Sequence, residues 1–108
     1  MSHAAPPAGF ADALADVRVL EWGRGVAAGY AARLLADFGS EVTRIALPGA
    51  NDPRRSMPAE VLAFLDHAKV CVELDPTSST GRTALLERVR EVDLLIDEIG
   101  RASCRERV

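Results

Sequence analysis

This chain is poor in cysteine, lysine and aromatic rings, and each shortage removes a class of answer. Two cysteines in 108 residues, Cys71 and Cys104, are too few and too far apart for a disulfide framework or a zinc site. No metal is expected. Lysine occurs once, at Lys69, against twelve arginines, and the formal charge is −3. That balance gives no electrostatic case for a nucleic-acid partner. The excess of arginine, with abundant alanine, reads as the mark of a GC-rich bacterial genome. No apolar run is long enough to span a bilayer. The opening stretch MSHAAPPAGFADALAD lacks the basic start and apolar centre of a secretion signal. A cytoplasmic protein with no membrane partner is the expectation.

Apolar residues make up 48% of the chain, enough for the core of one small domain. The organising stretch is VRVLEWGRGVAAGYAARLLADFGSEVTRI, Val17 to Ile45. Val17, Val19 and Leu20 read as a short strand. Val26, Tyr30, Leu34 and Phe38 recur every four residues, with Ala27, Ala31 and Leu35 beside them, which predicts a helix with a broad apolar stripe. Gly39 is placed to stop it. Val42 to Ala46 reads as a second strand, so the unit is βαβ with parallel pairing.

Between strand and helix lies Gly23-x-Gly25-x-x-x-Gly29, near the dinucleotide fingerprint but not on it. A tight turn there is expected to need glycine backbone angles, and would leave free N–H groups at the helix start. A ligand-cradling loop and plain helix–sheet packing both fit. The acidic residue that a ribose hydroxyl would want after the second strand is absent, because Ala46 and Leu47 stand there.

Further along, 47–58 holds four prolines and glycines among polar residues and reads as a loop. Its Arg54 and Arg55 are expected to be solvated loop charges, or else phosphate contacts. Pro58 can open a helix as its first residue, with Val61, Leu62 and Leu65 facing inward. Lys69 to Leu74 alternates as a third strand, and Cys71 reads as a small packed residue. His67 reads as a loop histidine. Ser78 is a candidate N-cap, and Leu85, Leu86 and Val89 mark a helix to about Glu91. Val92 to Ile96 is apolar apart from Asp93 and reads as the fourth strand, as a buried parallel strand would. The order predicts an α/β fold, a Rossmann-like parallel sheet with flanking helices. Glu21, Asp37 and Asp75 are assigned plain roles in solvation or local hydrogen bonding.

The ending is foreign to this pattern. The last ten residues, IGRASCRERV, back-translate into the read-through of a short-read sequencing adapter. Residues 98–108 are therefore expected to be adapter sequence, residues 1–15 a loose leader, and 16–97 the beginning of a longer domain whose reading frame continues past about Asp97.

With these pieces in view, the chain resembles the start of the class III CoA-transferases, the CaiB/BaiF family. The resemblance rests on VRVLEWGRGVAAGYAARLLADFGSEVTRI, PGANDPRR, LDHAKVCVELD and GRTALLERVREVDLLID, in family order and spacing across about 16–97. It implies the N-terminal fragment of an enzyme that moves coenzyme A between carboxylic acids, or of a related acyl-CoA racemase. It also implies an interlocked homodimer for the full-length protein, acyl-CoA or carboxylic acid substrates, and a nucleophilic aspartate beyond the fragment. Gly25, Val26, Leu47, Leu74 and Thr77 stand where relatives line the CoA site. Lys69, with Arg44 and Arg54, is the basic group expected near the CoA phosphates. The chain departs from the family at Glu21-Trp22-Gly23, Ala28-Gly29, Ala46-Leu47 and Asp66-His67-Ala68. Two other readings stand beside this one: a fragment of an S-adenosylmethionine-dependent methyltransferase, from the Gly-x-Gly at a strand end, and a non-catalytic module for CoA binding or dimerisation.

Overall fold

The computed structural model describes residues 12–23, 25–49 and 52–97. Among these, β1 (Arg18–Trp22) leads to α1 (Val26–Asp37) and β2 (Glu41–Ala46). A short 3-10 turn (Pro53–Ser56) and α2 (Ala59–Leu65) precede β3 (Lys69–Glu73), and α3 (Ser79–Glu91) precedes β4 (Leu94–Asp97). The four strands form one sheet in the order β3-β2-β1-β4, all parallel. This is the α/β arrangement the alternating sequence predicts. The chain runs β1 to β2 to β3 toward one edge, then crosses back to place β4 beside β1. That reversal is a topological switch point, where open α/β sheets leave a crevice at the C-terminal ends of their strands.

Alternation divides the two faces of the sheet. Val19 and Val42 are fully buried against Ala32 of α1, and Leu35, Ala36 and Ile96 pack around them. Further up the same face of the strands come Glu21, Arg44 and Cys71, so the face changes from apolar to charged toward the C-terminal edge. Leu20 and Ile45 lie on the other face, and both are buried.

Three expectations about packing are corrected. The buried side of α1 is Ala28, Gly29 and Ala32, whereas Val26, Tyr30 and Leu34 are 55%, 47% and 41% exposed. The stripe of large side chains faces outward because the small residues let the helix approach the sheet closely. Tyr30 stacks on Phe64 of α2 with ring centroids 5.9 Å apart, and Arg33 lies over that ring while donating to the Phe64 carbonyl at 2.7 Å. Second, β4 is not an enclosed strand. Among the described residues it lies at the edge of the sheet, and its Leu94 and Leu95 are exposed. Third, Cys71 is an exposed free thiol, not a packed residue, and it accepts a long contact from Arg44 Nη1 at 3.6 Å.

Local signals are read more directly. Gly39 has φ +101°, and the amides of Gly39 and Ser40 bond the carbonyls of Ala36 and Leu35, at 3.0 and 3.1 Å. This is the paired bonding that closes a helix on a left-handed residue. Ser78 caps α3 by accepting from the Gly81 amide at 2.9 Å. Pro58 is the N-cap of α2 instead of its first helical residue. Val61 and Leu62 are half-buried and Leu65 is fully buried, as expected of the inward face. Residues 12–16 form a turn joined to the end of α1 by the Leu14 amide and the Phe38 carbonyl, at 2.9 Å. The rest of the leader and the proposed adapter segment lie outside the described residues.

Candidate functional site

A cleft of about 270 Å³ opens at the C-terminal edge of the sheet, over β1, β2 and β3. The end of β1 contributes Trp22 and Gly23. The end of β2 and the loop after it contribute Ile45, Leu47, Pro48, Asp52 and Pro53, and the turn after β3 contributes Asp75, Pro76 and Thr77. The walls are flat and mostly apolar, with an indole and three proline rings, and carry two carboxylates. Such a surface suits a planar, uncharged, hydrogen-bonding group better than a bare phosphate.

The turn after β3 is locally fixed. Asp75 Oδ1 accepts from the Thr77 hydroxyl at 2.6 Å and the Thr77 amide at 2.9 Å. Those two bonds hold the Asp75 carboxyl below its ordinary value. Ser78 Oγ donates to the Asp75 carbonyl at 3.0 Å, and a Cβ on Gly81 would lie 1.8 Å from that oxygen. Only glycine lets α3 start this close to the turn.

Beneath the loop after β2 lies a cluster of three carboxylates and three cations. Arg54, at the 3-10 turn, is 1% exposed and pairs with both Glu21 of β1 and Asp66 after α2. Lys69 Nζ donates to Glu21 Oε1 at 2.7 Å and to the Gly29 carbonyl at 3.0 Å. Arg44 Nη2 reaches both oxygens of Asp52, at 3.0 and 2.9 Å. The Arg54 amide donates to Asp52 Oδ1 at 3.1 Å. Burial pushes the Lys69 ammonium below its ordinary value; Glu21 only partly restores it, and Arg54 lowers it further. Burial also works against the charge on Arg44, but contacts with Asp52, and lesser ones with Cys71 and Asp66, together outweigh it and hold that guanidinium above its ordinary value.

This cluster overturns two readings made from sequence. Arg54 is neither a solvated loop charge nor a free cation, and Glu21 is not solvated but 0% exposed. Arg55 alone keeps the expected surface position, in an exposed pair with Glu73 at 2.9 Å. The glycines are also explained differently. Gly25 has φ −110°, extended backbone open to any residue. Gly29 is the position where a side chain does not fit: its Cβ would stand 2.5 Å from Arg54 Nη2 and 3.3 Å from Leu65 Cδ2.

Of the six positions expected to meet CoA, Leu47 and Thr77 line the cleft. Leu74 lies next to its β3 wall, its amide bonded to the Ala46 carbonyl at 3.0 Å. Gly25 caps α1, Val26 is exposed in the first turn of that helix, and Lys69 is buried in the charge cluster. Trp22, Pro48, Asp52, Pro53, Asp75 and Pro76 were not singled out as ligand contacts. Their signal is position, since each follows directly on a strand end or occupies the loop after it. The cluster had a signal too: Glu21 and Arg44 are charges set inside strands, between apolar neighbours on at least one side.

A parallel sheet in this order, with an apolar cleft over its C-terminal edge, defines an α/β domain of the Rossmann type. The chain belongs to CoA-transferase family III, which it matches over residues 14–107. It is 32% identical over 91 residues to the succinyl-CoA–D-citramalate CoA-transferase of Chloroflexus aurantiacus, covering 78% of this chain and 23% of that one. It is 33% identical over 92 residues to the succinyl-CoA–L-malate CoA-transferase alpha subunit of the same organism, covering 78% and 22%. With the formyl-CoA:oxalate CoA-transferase of Bradyrhizobium diazoefficiens it shares 27% over 95 residues, covering 82% and 22%. The chain thus spans between a fifth and a quarter of the length of the relatives it matches.

Proposed function

We propose that this chain is the N-terminal, CoA-holding part of an enzyme that transfers coenzyme A between carboxylic acids. The observation that carries the reading is the cleft over β1, β2 and β3 in a chain of CoA-transferase family III. The adenine ring of CoA fits between the Trp22 indole and the prolines of the two facing loops, with Leu47 and Thr77 as contacts. An exocyclic amine can donate to the Asp75 oxygen that Thr77 leaves free. Gly25, Val26 and Leu74 flank this position.

Charge orients the rest of the ligand. Arg44, Arg54 and Lys69 already face carboxylates, and the described lining of the cleft carries Asp52 and Asp75. The phosphates of CoA therefore point away from this floor, toward the mouth. Lys69 supports the site from beneath.

In this proposal the carboxylate nucleophile of the transfer lies in the part of the parent protein beyond Asp97, and the full-length protein pairs as a homodimer. Acyl-aspartate and acyl-CoA chemistry needs such a nucleophile. Glu21 and Asp52 cannot serve, since both are buried in ion pairs. Relatives named as CoA-transferases favour transfer over racemisation and over methyl transfer.

The test is a fluorescence titration of the chain with CoA and, separately, S-adenosylmethionine. Trp22 is the single tryptophan of the chain and lies in the cleft. CoA should perturb its emission at lower concentration than S-adenosylmethionine, which shares the adenine ring but lacks the phosphates and pantetheine arm. The chain as given should show no CoA transfer. No response to CoA, an equal response to S-adenosylmethionine, or turnover by this chain alone would each sink the proposal.

A further inference from the structure

Pro48, Asp52 and Pro53, which follow β2, line one side of the cleft. The hydrogen bonds that tie segment 52–56 to other elements run through charged side chains: Arg44 to Asp52, Arg54 to Glu21 and Asp66, and Arg55 to Glu73. The last of these is exposed and so contributes little. The buried pairs therefore set where the wall stands.

Buried ion clusters are a poor way to gain stability, because each charge gives up its hydration. Well-packed apolar residues would do as well for holding a loop down. A buried guanidinium does something apolar contacts do not: its directed N–H bonds fix where a carboxylate stands. Arg44 does this to Asp52 with one nitrogen, Nη2, which donates to both carboxylate oxygens, and Asp52 is the residue through which the cluster reaches the cleft surface. Asp52 then fixes the main chain beyond it by accepting the Arg54 amide. The same Arg54 side chain reaches Glu21, whose neighbour in β1 is Trp22 on the opposite side of the cleft. One connected set of charges thus spans both walls.

We infer that Asp52, held by Arg44, is a positioning residue that sets the width of the ligand cleft. This rests on the proposed CoA site for its biological purpose, but its geometry is testable without any ligand. When Asp52 loses its two bonds, Pro48 and Pro53 move off Trp22.

The experiment measures acrylamide quenching and emission of Trp22 in the ligand-free chain, then CoA affinity, with folding followed by circular dichroism. Asp52→Asn should shift Trp22 emission to the red and raise quenching. Arg44→Lys keeps the positive charge but loses the rigid plane that aims Nη2 at both Asp52 oxygens, and should do the same to a smaller degree. CoA affinity should fall about tenfold or more, the equivalent of one charge-assisted hydrogen bond. Leu35→Ala is the control. It removes packing around the Val19, Ala32 and Val42 core, outside the ion cluster, so it should lower stability yet leave Trp22 quenching and CoA affinity of the folded chain unchanged. Unaltered Trp22 quenching in folded Asp52→Asn and Arg44→Lys overturns the inference. So does the loss of affinity in Leu35→Ala in parallel with the other two. If both cluster variants unfold outright, the cluster is structural and the positioning role is overturned. Failure of CoA to bind the unsubstituted chain counts against the proposed function only, and the quenching result still decides this inference.

Discussion

Gly29→Ala is the substitution on which helix propensity and tertiary packing disagree in sign. Gly29 lies inside α1, where alanine is favoured by about 1 kcal/mol on intrinsic grounds. Against this, the new Cβ would approach Arg54 Nη2 to 2.5 Å, Arg54 Cζ to 3.1 Å and Leu65 Cδ2 to 3.3 Å. An arginine tip usually swings aside. This one cannot, because it is 1% exposed and bound to Glu21 and Asp66. Overpacking of this kind costs about 1–3 kcal/mol, and displacing the guanidinium from its partners costs about 3–5 kcal/mol. The chain relaxes by the cheaper of the two routes, so after the helix gain the net expectation is a loss of up to about 2 kcal/mol, or a fall in Tm of up to about 16 °C for a domain of this size. Thermal and urea unfolding followed by circular dichroism measure it. The decisive control is the same change beside Arg54→Met, where the charged tip is gone. There Gly29→Ala should turn neutral or stabilising, giving a coupling that a double-mutant cycle reads directly. A single Gly29→Ala variant that melts higher than the parent would refute the packing account.

Ala68 has φ +63°, a left-handed conformation that costs an L-residue about 1–2 kcal/mol. Ala68→Gly should therefore raise the urea midpoint, by about 0.5–1 kcal/mol after the extra freedom of unfolded glycine is counted; a lower midpoint would show that the strain is not there. Tyr30→Ala, on the outward face of α1, should cost less than about 1 kcal/mol, whereas Leu20→Ala in the core should cost about 2–5 kcal/mol; equal costs would mean the helix is turned the other way. The folded Lys69 value lies below the ordinary 10.5, so between the two the unfolded chain holds a proton the folded chain has released. Stability should rise with pH across that alkaline interval, and Lys69→Gln should flatten the rise in urea midpoints. Asp75 runs the other way. Its folded value lies below 3.8, so its contribution is present above that pH and is lost as pH falls through the folded value. Asp75→Asn should remove that part of the acid limb, and an unchanged acid limb would deny it the role.

Much of the molecule was legible because it is written in local chemistry. The βαβ alternation follows from apolar runs broken at Gly39, at the proline-rich loop and at Ser78. Each break works through neighbouring atoms: a backbone angle open to glycine, a missing N–H, a hydroxyl within reach of an amide. Parallel pairing followed as well, since each connection carries a helix. Even the region of the cleft was legible, because in such sheets it lies past the strand ends.

What the sequence could not decide is which residues meet across the sheet. Periodicity shows that α1 has an apolar stripe, but both its sides are apolar, and only packing distance chose Ala28, Gly29 and Ala32 over Val26, Tyr30 and Leu34. Val92 to Ile96 reads the same whether central or at an edge; strand order alone placed β4 outside β1. Glu21, Arg54 and Lys69 are as much as 48 residues apart, and nothing local to any of them names its partner. Their pairing exists because β1 and β3 lie on either side of β2 while the loop after β2 folds back over them. A charge is inexpensive on a surface and costly in a core, and which of these it meets is a property of the assembled sheet.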